Sequence, residues 1–192
     1  MPDTAPPDPA TPRPSGSATP RPSGADALLT AAVDTERHVA RAGWDQPPRL
    51  FALVRTSLLQ DREPGLADRL AEADADGYTA VEQDGLPPTS DLESLLGRVA
   101  WPPDVEGVAL AVERIVVPPE AERDLPVDPQ EATDRLAAHP DRKDVRLVAA
   151  CLRDGRRTCL LRQRDHDRDD AVAVGQDIAP GLTHALAMTL VD

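Results

Sequence analysis

The chain has 192 residues and a formal net charge of −13, with 40% hydrophobic and only 2% aromatic side chains. That acidic excess repels nucleic-acid phosphates and anionic membrane surfaces, which excludes both as partners. No apolar run of about 18 residues offers a membrane span and no basic-then-apolar signal opens the chain. Two cysteines make no disulfide scaffold, which leaves a cytoplasmic protein with no cofactor signature as the expectation.

Residues 1–25 read as a separate, disordered tail. Ala10-Thr11-Pro12-Arg13-Pro14-Ser15-Gly16 recurs as Ala18-Thr19-Pro20-Arg21-Pro22-Ser23-Gly24. Such a segment has too little apolar surface to offset the entropy of ordering it. A single domain over residues 26–192 follows.

Leu28, Leu29, Ala32, Val33, Glu36, Val39 and Ala40 fall on one stripe of a helix, with Asp26 as its N-cap and Gly43 as its end. A second helix is expected after Pro47-Pro48, burying Leu50, Phe51, Leu53, Val54, Ser57 and Leu58, because proline suits a first helical turn. Pro64 opens a short third helix that turns Leu66 and Leu70 inward. Tyr78–Gln83 reads as a strand. Ser90 and Glu93 form a capping box for a helix with Leu92, Leu95, Leu96 and Val99, which Trp101-Pro102-Pro103 stops.

Val108–Val117 is the strongest strand, β-branched and apolar on both faces. Asp128-Pro129 caps a helix that His139-Pro140 closes. Asp144–Arg153 and Arg156–Gln163 then pair across Asp154-Gly155, a two-residue turn signal. On that register Cys151 and Cys159 face opposite ways, whereas a bulged turn would bring them to one face. A short strand at Ala171–Val174 and a helix from Pro180, with Leu182, Ala185, Leu186 and Leu190 inward, complete the chain. This order predicts an α+β fold. A mainly antiparallel sheet of four to five strands is expected, with the helices packed on one main face and the N-terminal helices preceding the sheet.

The string His38-Val39-Ala40-Arg41-Ala42-Gly43-Trp44-Asp45-Gln46-Pro47-Pro48-Arg49-Leu50-Phe51-Ala52-Leu53-Val54 resembles an uncharacterised actinobacterial family of small cytosolic proteins, named only for a propionibacterial locus tag. Val81-Glu82-Gln83-Asp84, Ala100-Trp101-Pro102-Pro103, His139-Pro140-Asp141-Arg142 and the Val145–Leu161 hairpin extend the resemblance to about residues 27–190. It implies a bacterial cytosolic protein and carries no activity, cofactor or catalytic residue.

No nucleophile elbow, phosphate loop or dinucleotide fingerprint is present. The run Asp165-His166-Asp167-Arg168-Asp169-Asp170 lacks the spacing of a calcium loop and reads as a solvated connection. Two tryptophans stand beside diproline corners, in loops, where binding residues concentrate. Trp and Arg are also the residues that anchor interfaces. Trp44, Asp45, Gln46, Arg49, Trp101 and Arg142 are therefore the candidate binding residues of a non-catalytic interaction module, adaptor or chaperone-like, for a protein partner. The alternative is a small hydrolase-like or metal-dependent enzyme using His139, Asp141 and Glu82. Self-association into a homo-oligomer is a third expectation.

Overall fold

The computed structural model describes residues 24–84, 92–123 and 125–191. The proline-rich repeat and Ser90 lie outside the described residues, as do the side chains of Asp26 and Glu93. One sheet organises the rest. Its strands are β1 (Arg49–Arg55), β2 (Tyr78–Glu82), β3 (Val105–Val116), β4 (Lys143–Leu152), β5 (Arg157–Gln163) and β6 (Ala173–Gly175). They lie in the order β2-β1-β3-β4-β5-β6 and every neighbouring pair is antiparallel. The α+β class stands, with six strands in place of four to five.

The extra strand is β1, expected as a helix. Phe51 and Leu53 pack into the core on one side of the sheet, and Leu50 and Ala52 into the core on the other. A strand covered on both faces reads as a continuous apolar run, and so short a run has no period that separates strand from helix. The helix begins later, as α2 (Thr56–Arg62), followed by a 3-10 turn at Pro64–Leu66 and α3 (Ala67–Leu70).

The helices also cover both faces, not one. On the first, α1 (Gly24–Ala40) lays Leu28, Ala31, Ala32 and Val39 over Phe51, Leu53, Ala109, Ala111, Val148 and Leu160. α1 starts before Asp26, so that residue sits within the first turn and does not precede the helix. On the second face, α4 (Leu92–Leu96) and α7 (Pro180–Met188) bring Leu96 and Leu186 to Leu50, Val108, Leu110 and Ala149. Between β3 and β4 the chain makes an excursion through α5 (Pro119–Glu122) and α6 (Pro129–Ala137). The Asp128 carboxylate accepts from Gln130 and Glu131 N–H at 2.9 and 3.0 Å, capping α6 as its sequence indicates.

The β4–β5 hairpin turns differently from the two-residue reading. Leu152 N–H donates to Arg156 O at 2.9 Å and Gly155 N–H to Leu152 O at 3.0 Å, so Arg153, Asp154 and Gly155 form the loop. Gly155 takes φ +88°, the left-handed residue of a bulged turn. The register slips by one, pairing Ala149 with Cys159 and Cys151 with Arg157. Both thiols therefore lie on the α7 face, buried and free. Burial pushes Cys151 up to about 12 and Cys159 up to about 11.

A close approach fixes the strand beside them. A Cβ on Gly107 would lie 2.4 Å from Leu152 Cδ2 and 2.5 Å from Cys151 O, so only glycine lets β3 and β4 meet there.

Candidate functional site

Beyond the last residues of α1, the face it covers becomes polar. Glu113 of β3, Arg146 of β4 and Arg162 of β5 stand opposite one another in one row across the sheet. Arg162 is buried, and its Nε and Nη2 donate to Glu36 of α1 at 2.6 and 2.7 Å. Its Nη1 reaches Asp167 at 3.0 Å and its Nη2 reaches Asp169 at 2.8 Å. The bond to Glu36, above all, raises the Arg162 pKa against the opposing effect of burial. Glu36, placed on the apolar stripe of α1 by its sequence position, is 2% exposed and is the counter-charge that makes a buried arginine tolerable here.

Arg146 is buried more deeply, with 1% of its side chain exposed. Its Nη2 donates to Glu113 at 2.8 Å and to the carbonyl of Gly43. Its Nε and Nη1 have no hydrogen-bond partner among the described residues. What covers them is the indole of Trp44, whose ring centre lies 4.4 Å from the Arg146 guanidinium carbon. Trp44 is held in turn by its Nε1, which donates to Asp167 at 2.9 Å.

The next residue is the unusual one. Asp45 has φ +65° and is the sole non-glycine residue with positive φ among the described residues. Aspartate enters that region more readily than most residues, yet the conformation persists only where its surroundings impose it. Two contacts impose it. Asp45 N–H donates to Glu113 Oε2 at 2.8 Å, and Arg164 Nη1 and Nη2 donate to its carboxylate at 2.7 and 2.8 Å. The Arg164 bonds hold the Asp45 carboxyl below its ordinary range. The Asp45 side chain is nevertheless 73% exposed. Trp44, Asp45, Glu113, Arg142, Asp144 and Arg164 line a concavity of about 280 Å³ at this corner.

The candidate residues thus divide. Trp44, Asp45 and Arg142 come together at the corner. Arg142 also lies 3.6 Å from Asp144 and donates to the carbonyl of Ala137 at the end of α6. Gln46 and Arg49 lie alongside. Arg49 Nε and Nη2 donate to Glu82 at 2.5 and 2.6 Å, its Nη1 donates to Gln46 at 3.1 Å, and Nη2 lies 2.9 Å from His38 Nε2. Gln46 Nε2 closes the end of α1 by donating to Val39 O at 3.2 Å. These two residues brace the corner from below.

Trp101 belongs elsewhere. It is buried in the α7-face core, its Nε1 donates to Thr189 at 3.0 Å, and its carbonyl accepts from Arg153 at 3.1 Å. Arg146 and Arg153 are seven positions apart along β4 and its turn, roughly 23 Å at the rise of a strand.

His139 and Asp141 are not gathered with Glu82. His139 Nδ1 accepts from Asp141 N–H at 3.1 Å in the loop after α6, while Glu82 sits on the edge strand β2. In the Asp165–Asp170 run, Asp165 pairs with Lys143, and Asp167 and Asp169 with Arg162. Among the described residues no group of three His, Cys, Asp or Glu side chains is placed to hold a metal ion, and no helix is long and apolar enough to cross a membrane.

The residues that sequence reading missed are Glu36, Glu113, Arg146, Arg162 and Arg164. Their signal was present. A glutamate on an apolar helix stripe and arginines at alternating positions of two strands that a turn makes neighbours are charges requiring partners.

These features sit inside the part of the chain that a family model covers. The model described as PPA1309-like protein matches residues 28–191, and the chain belongs to that family, which is named after a locus tag and not after an activity. No curated protein and no solved structure matches the chain.

Proposed function

We propose that the protein is a non-catalytic interaction module, adaptor or chaperone-like, whose contact surface is the Trp44–Asp45 corner. The observation that carries this reading is Asp45. An exposed residue is held in a costly backbone conformation by Glu113, which is bonded to the buried Arg146, and by Arg164, which lies over the Trp44 ring. The core gains nothing from a side chain 73% exposed. Strain maintained at the surface by so many contacts is characteristic of sites that meet a partner. Trp44 and Arg164 supply the aromatic and guanidinium groups that dominate interface energies, already fixed in place, so little conformational entropy is lost on binding.

The test is affinity capture from native lysate with the full-length chain, a version lacking residues 1–25, and Asp45→Ala. A partner held by the first two and lost by Asp45→Ala supports the proposal. A partner lost with the tail alone moves the function to the proline-rich repeat, and a partner indifferent to Asp45→Ala removes the corner from the contact.

A further inference from the structure

The sheet has an opening beside this corner. The hairpin bond between Leu152 and Arg156 sets the even residues of β4 toward β5 and the odd ones toward β3. Register then directs the even residues of β3 toward β4, as Arg153 N–H to Glu106 O at 2.8 Å bears out, and its odd residues toward β1. β1 pairs with β3 only as far as Arg49 opposite Ala111, because Pro47-Pro48 precede it and cannot donate to the ladder. β3 continues to Val116. Glu113 and Ile115 therefore point their backbone N–H and C=O at a side with no paired strand among the described residues. Among the described residues, Glu113 O alone of these groups has a partner, the guanidinium of Arg114 at 3.1 Å.

That bond places the Arg114 guanidinium on the rim of the open edge, where it has no carboxylate to pair with among the described residues. Ile115 and Val116 are 40% and 47% exposed at the same place. Proteins commonly blunt such an edge with prolines, bulges or a covering helix, since it is a template for another strand. Here α6, the longer helix of the excursion that follows β3, buries none of its residues.

We infer that this edge of β3 takes an extended peptide strand of a partner protein, with an acidic side chain facing Arg114. The strand lies antiparallel to β3 and continues the line of β1. Its residues opposite Glu113 and Ile115 exchange backbone hydrogen bonds and point over the concavity of Trp44, Asp45, Arg142 and Arg164. The residue between them faces the other way and sets its carboxylate against Arg114, a cross-strand pair of opposite charge. The inference rests on the corner being the contact surface and adds what docks there.

Random octapeptides displayed on phage and selected against the full-length chain provide the probe. A selected peptide, synthesised and added at saturation, slows amide exchange at Glu113 and Ile115 by about tenfold or more. Ile115→Pro leaves the β3–β4 ladder intact, since that N–H faces away from β4, and weakens the peptide by about tenfold. Arg114→Ala removes the preference for an acidic residue. If Ile115→Pro does not fold, exchange in the unaltered chain decides. Peptides that need Trp44 and Asp45 yet leave both amides unprotected overturn strand addition and leave the corner standing as a contact surface. No enrichment, or binding indifferent to the edge and the corner alike, overturns the inference, while partner capture still judges the corner separately.

Discussion

The guanidinium of Arg146 and the indole of Trp44 meet at 4.4 Å, and the indole is the cover of a cation whose Nε and Nη1 have no hydrogen-bond partner among the described residues. A desolvated cation–π contact contributes up to about 2 kcal/mol, and the Trp44–Asp167 hydrogen bond about 1 kcal/mol more. Trp44→Ala is expected to lower unfolding stability in urea by about 2–3 kcal/mol, and Trp44→Phe, which keeps a stacking ring, by about 1 kcal/mol. Equal losses for the two variants would show that Arg146 does not depend on the ring.

Arg162 and Glu36 are each other's condition for burial. Arg162→Leu strands a carboxylate that is 2% exposed, and a loss of about 3–5 kcal/mol is expected. Replacing both with leucine removes the stranded charge, so the double variant should be more stable than Arg162→Leu alone. Urea titration of the three variants measures the coupling, and additive losses would contradict the pairing.

Acid should loosen the same face. Glu82 is held below its ordinary 4.5 by the hydrogen bonds from Arg49, Asp167 below 3.8 by the Trp44 indole N–H, and Asp169 below 3.8 by Arg162. A carboxylate with a depressed folded pKa contributes stability above its unfolded value and loses it as pH falls through the folded one. The melting temperature is therefore expected to hold from pH 7 to about pH 5 and to fall progressively below about pH 4. Glu82→Gln should shallow that fall. Because these carboxylates are partly exposed, each step is small.

The shared face of the two cysteines has a chemical consequence. Buried thiols pushed up to about 12 and about 11 hold almost no thiolate near neutrality. A thiol reagent at pH 8 should label neither Cys151 nor Cys159 in the native protein and both in denaturant. Rapid native labelling of either would contradict the packing of α7 on the sheet.

Much of the frame was legible. The periodicity of α1 and α7, the β-branched run of β3 and the Asp128 cap each follow from local chemistry. β1 was not legible because Leu50-Phe51-Ala52-Leu53 is apolar on every side, and Pro47-Pro48 suit the start of a helix as well as the entry to a strand. Asp154-Gly155 marked the turn without fixing its length, since glycine in the left-handed region serves both the two-residue and the bulged hairpin. Of the site, Trp44, Asp45 and Arg142 stood out as residue types suited to contact. Trp101 carried the same Trp-Pro-Pro signature and yet fills the core, because what separates the two indoles is the far partner of each, Arg146 for one and Thr189 for the other. The row Glu113–Arg146–Arg162 depends on register across three strands, which no single stretch of sequence contains.

The most direct test of the corner as a contact surface is photo-cross-linking in native lysate, with p-benzoylphenylalanine placed at Arg142, on the concavity, or at Arg157, on the far side of the hairpin. A discrete protein adduct is expected from position 142, absent from position 157 and lost when Asp45→Ala is added. No adduct from position 142, or the same adduct from both positions, would contradict the corner as a contact surface.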